Sequence, residues 1–107
     1  MANFVLLYSG GSMPQTEAEV ASVLQAWGVW YGQLGAAVVD GGNPFTPMAK
    51  NIAVDGTVSD GPIGVLATGY TVLKADSLDE AVGMAKKCPV LQGGSQITVY
   101  EAIEMSM

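Results

Sequence analysis

The stretch GYTVLKADSLDEAVGMA, residues 69–85, carries a strand, a helix cap and a helix in immediate succession. Residues 69–76 read as a long strand. Ser77 and Glu80 stand three apart ahead of an apolar run, the spacing of a capping box. The serine oxygen accepts from a backbone N–H of the first turn, and the glutamate returns the bond. Leu78, Ala81, Val82 and Ala85 then recur at helical spacing. Lys86 and Lys87 fall in the last turn, where cations complement the helix dipole, and Pro89 prevents continuation.

The same order occurs upstream. Residues 3–9 read as a strand with Phe4, Leu6 and Tyr8 on one face and Val5 and Leu7 on the other. A Gly-Pro loop follows, and Thr16 with Glu19 repeats the capping box. Val20, Val23, Leu24, Trp27, Tyr31 and Leu34 mark the apolar side of a helix, and Gly35 suits a left-handed stop. Trp27 and Trp30 are not both expected to face the core, so one is assigned to the surface or an interface. Gly28 and Gly32 share a helix face and each cost about 1 kcal/mol relative to alanine, which predicts close packing of another backbone there.

Residues 36–40 read as a short strand. The stretch 41–65 is irregular except where 51–54 and 57–59 flank Asp55-Gly56, a two-residue hairpin turn with positive φ at both positions. After Gly93-Gly94, residues 96–104 alternate as a final strand. The element order is β-α-β, an inserted β-hairpin, then β-α-β. This is an α+β chain of the split βαβ, ferredoxin-like kind: one antiparallel sheet with two helices on one face. Two helices cover a single face, yet the strand over 3–9 is apolar on both. No segment remains to cover the second face, so a homodimer is expected.

Composition narrows the function. The 107 residues form one domain, 1–107, and half of them are apolar. Four Lys+Arg stand against ten Asp+Glu with no histidine, so the cationic surface needed to bind nucleic acid or an anionic membrane is missing. No apolar run approaches the ~20 residues of a membrane span, and the N-terminus lacks the basic start of a signal peptide. With a single cysteine, Cys88, the expected location is cytoplasmic. No zinc or copper ligand set is available, and no glycine pair belongs to a phosphate-cradling motif, so no metal or cofactor is expected.

Val58-Ser59-Asp60-Gly61-Pro62-Ile63 resembles the signature of the YCII-related, or DGPF-domain, family of the dimeric α/β-barrel group. Gly69-Tyr70-Thr71-Val72-Leu73, the run from Ala75 to Ala81, Cys88-Pro89, Gly93-Gly94 and Ile97-Thr98-Val99-Tyr100-Glu101 match in order, covering nearly the whole chain. The resemblance implies a ferredoxin-like protomer whose sheet packs against a second one, with a cleft bordered by the Asp-Gly-Pro turn. Most of the family has no assigned reaction. A related branch looks like a dehydrochlorinase of chlorinated aromatics, and the wider group includes a muconolactone isomerase. This chain departs in three ways: Ile63 replaces the usual phenylalanine, the connection to Gly69 is short, and there is no histidine for the dyad some members form with the motif aspartate. Only Asp60 carries over.

Asp60 therefore has two readings: a proton-transfer group in a cleft formed with the dimer partner, or the organiser of its own turn. Gly61 and Pro62 shape that turn. Tyr8, Ser9 and Tyr70, on or at the ends of central strands, are candidate ligand contacts. Glu101 breaks the alternation Ile97, Val99, Ile103 and is assigned either a place at the rim of the dimer cleft, paired with Lys74 or Asp60, with an edge salt bridge favoured, or a second acid/base role. Cys88, without an activating histidine and at a helix C-terminus, reads as a packing residue. The function expected is a cofactor-independent lyase or isomerase acting on a small aromatic-derived or lactone substrate. Its rival is a non-catalytic dimeric module that binds a small ligand or a partner protein.

Overall fold

The computed structural model describes residues 1–12 and 14–105. In chain order the elements are β1 (Ala2–Gly10), α1 (Glu17–Leu34), β2 (Val38–Asp40), β3 (Lys50–Ile52), β4 (Val58–Asp60), β5 (Ala67–Ala75), α2 (Leu78–Ala85) and β6 (Ser95–Ala102). Four of the strands form one antiparallel sheet in the order β2-β5-β1-β6, while β3 and β4 pair only with each other. This is the ferredoxin-like arrangement, with a hairpin inserted between the second and third sheet strands.

Register decides which residues the helices cover. Phe4 lies opposite Leu73 and Glu101, Leu6 opposite Thr71 and Val99, and Tyr8 opposite Gly69 and Ile97. Phe4, Leu6, Leu73, Ala75 and Thr71 on that face are fully buried. The other face carries Val5, Leu7, Tyr70 and Val72, all half-buried, with Tyr100 54% exposed on β6. Among the described residues neither helix packs on it.

Several local expectations need correcting. Trp27 and Trp30 both pack on the core: Trp30 is buried with its indole N–H donating to the Met84 carbonyl (3.0 Å), and Trp27 meets it edge-on at 5.5 Å. Residues three apart on a helix are only about 60° apart around its axis, so one broad apolar stripe takes both. Gly28 and Gly32 face open space, with nothing near enough to touch an added Cβ. In both capping boxes the hydroxyl accepts from position N3, but the glutamate bonds the residue ahead of the cap. Glu19 accepts from the Gln15 N–H (2.6 Å) and Glu80 from the Asp76 N–H (3.3 Å).

The hairpin turn is also different. Gly56 has φ 88°, but among the described residues no non-glycine has positive φ, so Asp55 does not form a two-residue mirror-image turn. Ala53 N–H donates to Thr57 and Gly56 N–H to Ala53, a three-residue loop closed by a glycine bulge. The segment expected as a strand over 36–40 begins with a 3-10 turn, Gly35–Ala37, before β2. The final strand stops at Ala102, opposite Asn3 near the start of β1. α2 ends at Ala85, which leaves Lys86 as its cap and Lys87 outside it.

The hairpin gives the molecule its outline. The radius of gyration is 15.4 Å, against about 13 Å for a compact domain of this length. The extents are 45 × 39 × 19 Å. The arm leaves the β2 side, where Pro44 bridges to Gly69 and Phe45 N–H donates to the Thr68 carbonyl (2.8 Å).

Candidate functional site

Asp60 ends β4 directly opposite Lys50 on β3, and its carboxylate accepts from the Lys50 ammonium at 2.7 Å. Gly61 (φ 83°) donates its N–H to the Ala49 carbonyl at 2.8 Å, which turns the chain out of the hairpin towards an exposed Pro62. The Asp60 side chain is 90% exposed, so the pair contributes little to stability. Among the described residues its hydrogen-bond partner is Lys50, and no backbone N–H ahead of it takes that place. Lys50 is the residue that sequence reasoning missed. Pairing outward from a two-residue Asp55-Gly56 turn would place it opposite Gly61; the three-residue loop shifts the register by one and brings it opposite Asp60.

A second cluster stands on the open face. Tyr70 donates its hydroxyl to Asp40 Oδ2 at 3.0 Å, while Asp40 Oδ1 accepts from the Gly42 N–H at 2.9 Å. Phe45 stacks on the Tyr70 ring with centroids 5.6 Å apart and planes 22° off parallel. The hydrogen bond to Asp40, and then that carboxylate's charge, raise the Tyr70 phenol pKa. The result is a flat aromatic platform with a carboxylate and a phenol at its border. Asp40 and Phe45 were not singled out in the sequence. The only hint was Asp40-Gly41-Gly42, an aspartate placed to bond the N–H two residues on.

The remaining candidates are dispersed. Tyr8 lies on the helix-covered face, 5% exposed, and donates to Thr71 Oγ1 at 2.6 Å. Thr71 passes its own proton to the Gly41 carbonyl at 3.0 Å, a carbonyl that the Tyr31 hydroxyl also reaches at 2.9 Å. Burial raises the pKa of the Tyr8 and Tyr31 phenols and of the Cys88 thiol, which sits 3.7 Å from the Tyr8 hydroxyl. Ser9 is half-buried opposite Gln96, on the side away from the helices. Glu101 lies opposite Phe4 but on the outer strand, exposed. Lys74 pairs with Asn3 and so points from the other face, which rules out the expected salt bridge between it and Glu101 within the protomer. Nor does Glu101 pair with Asp60, whose partner is Lys50.

Tyr70 and Ser9 therefore share the open face, Asp60, Gly61 and Pro62 share the arm, Tyr8 is internal and Glu101 is at the edge. Among the described residues no three carboxylates or thiols converge to hold a metal ion, and no helix is long and apolar enough to cross a membrane. An open groove of about 410 Å³ runs between α2 and β6. Its walls are apolar, built from Leu78, Val82, Leu91, Ile97 and Val99, and Lys86 is its one charged lining residue.

No family model matches the chain, and no curated protein matches it in sequence. In structure it is similar to 5-chloro-2-hydroxyhydroquinone dehydrochlorinase from Burkholderia phenoliruptrix AC1100, solved in complex with 2,5-dihydroxybenzoquinone. The two superpose with a TM-score of 0.56 at 14% sequence identity, over 96% of this chain and 95% of that one. What the likeness carries across is the fold: an α+β, ferredoxin-like domain.

Proposed function

We propose that this chain is a YCII-related homodimer acting as a cofactor-independent lyase or isomerase on a small, planar, oxygenated substrate. Asp60 serves as the acid/base group and Lys50 as its electrostatic partner. The observation that carries the reading is the Lys50–Asp60 pair, held at 2.7 Å on a hairpin and exposed in the protomer. Abstraction of a proton next to a carbonyl needs a carboxylate to take it and a positive charge to hold the enolate oxygen, and this pair supplies both. The fold's similarity to an enzyme solved with a hydroxylated quinone supports the substrate class.

In this reading the open faces of two sheets meet. Val5, Leu7 and Val72 provide the contact, and the Phe45–Tyr70 stack becomes a wall for a flat ligand. Ser9, Gly61 and Pro62 border the cleft, while Tyr8 supports it from beneath through Thr71. The rival reading, a non-catalytic ligand-binding dimer, draws on the separation of Asp60 from Tyr70 within one protomer.

Titration calorimetry and turnover with 2,5-dihydroxybenzoquinone, chlorinated hydroxyhydroquinones and lactones separate the two. Asp60→Asn is expected to keep binding and abolish turnover, with Tyr70→Phe weakening binding. Turnover that survives Asp60→Asn rules out the acid/base role. Binding without turnover in the wild type assigns the module instead.

A further inference from the structure

The arm between Asn43 and Thr68 poses a physical problem that the protomer does not solve. An isolated two-stranded hairpin is marginal in water and needs an apolar face packed on something. Here the pairing Ile52↔Val58 puts two β-branched side chains side by side on the face that also holds Lys50 and Asp60. Ile52 is 71% and Val58 55% exposed, and Val54 at the tip, Met48, Ile63 and Val65 are exposed as well. The opposite edge of the same sheet has the complementary defect. Among the described residues β6 has no outer neighbour, and the groove between it and α2 is walled by apolar side chains.

We propose that the arm of one protomer docks in the α2–β6 groove of a second copy of this chain, reciprocally across a two-fold axis. The inference rests on the face-to-face dimer above and adds to it. When two four-stranded sheets close into a barrel about an axis along the barrel, the β2 edge of each meets the β6 edge of the other. Because the base of the arm lies on the β2 side, such closure brings it beside the β6 edge of the second copy, next to the groove.

Chemistry and area fit this occupant. Ile52, Val54 and Val58 match the walls of Leu78, Val82, Leu91 and Val99. The arm carries Asp55, Asp60 and Lys50, a net charge of −1 from two acids and one base, and the groove is lined by Lys86. Six exposed apolar side chains add on the order of several hundred Å² to the sheet face, which brings the contact towards the roughly 800 Å² per partner of a stable interface.

Light scattering and cross-linking on the full chain test this. The wild type is expected to be dimeric at micromolar concentration. Ile52→Asp with Val58→Asp, changing side chains that are exposed in the protomer, is expected to keep the circular dichroism spectrum and weaken dimerisation more than about 100-fold. Val54→Cys combined with Leu91→Cys is expected to give covalent dimers with a short bismaleimide, as is an equimolar mixture of the two single variants. Wild type serves as the control because Cys88 is buried. A dimer that survives the aspartates and gives no cross-link overturns arm exchange while leaving the sheet-to-sheet reading in place. A monomeric wild type overturns both.

Discussion

Thr71→Val tests the internal hydrogen-bond chain that ties the sheet to the strand leading into the arm. Thr71 is fully buried, accepts from the Tyr8 hydroxyl at 2.6 Å and donates to the Gly41 carbonyl at 3.0 Å. Valine has nearly the same volume, so no cavity opens and the cost is polar. Each lost hydrogen bond is worth about 1 kcal/mol net, and an orphaned buried hydroxyl costs roughly 1–3 kcal/mol. Gly41 keeps its bond from Tyr31, so the Tyr8 hydroxyl is the group left stranded. The expected loss is about 2–3 kcal/mol, a large share of the 5–15 kcal/mol typical of a domain. Tyr8→Phe alone is expected to cost about 1 kcal/mol, and the double variant less than the two single losses summed, because the stranded hydroxyl is gone. Urea unfolding at fixed protein concentration measures all three. A Thr71→Val loss within about 0.5 kcal/mol, or strict additivity in the double variant, refutes the reasoning.

Alkaline pH should destabilise the fold. The Cys88 thiol and the Tyr8 and Tyr31 phenols have pKa values raised by burial, so the unfolded chain releases these protons first, the thiol near ~8.5 and the phenols near ~10. Their contribution is whole below about pH 8 and is lost as pH rises towards the raised folded values; a urea midpoint that does not fall between pH 8 and 10.5 contradicts this. Gly28→Ala with Gly32→Ala fills open space on α1 and is expected to add about 1–2 kcal/mol in thermal or urea unfolding, whereas destabilisation would show that a backbone packs there. Gly42→Ala is expected to destabilise by more than about 3 kcal/mol in the same assay. Gly42 has φ 76°, and an added Cβ would collide with the Tyr70 carbonyl, so a neutral result would mean that this close approach is relaxed in solution.

The fold was legible because its signals are local. Strand alternation at Phe4, Leu6 and Tyr8, and the caps at Thr16 and Ser77, act over a few residues and survive tertiary packing. The misreadings arose where geometry is finer than pattern. Trp27 and Trp30 were split although they are neighbours on one helix face, and Asp55-Gly56 was given a turn that requires positive φ at aspartate. The site was less legible because it is assembled from pairings that the sequence leaves open. Lys50 meets Asp60 only once the hairpin register is known, and Asp40 meets Tyr70 only across β2 and β5. Glu101 and Lys74 were offered as partners because alternation was counted along each strand alone, without the pairing to β1 that puts them on opposite faces.

The outer strand β6 has a consequence of its own. Its sequence, SQITVYEA, is rich in β-formers and holds no lysine or proline, the residues that usually discourage a further strand from adding to a sheet edge. Glu101 is its one charge, near the far end. A protomer stripped of whatever shields this strand offers a template for edge-to-edge growth, and such growth accelerates with concentration. During synthesis β6 is the last of the four sheet strands to emerge and pairs with β1, the earliest of them, so the sheet passes through a stage in which β1 is open as well. Rapid shielding of that edge therefore governs yield as well as architecture, and mishandled preparations of this protein should fail by aggregation before they fail by unfolding.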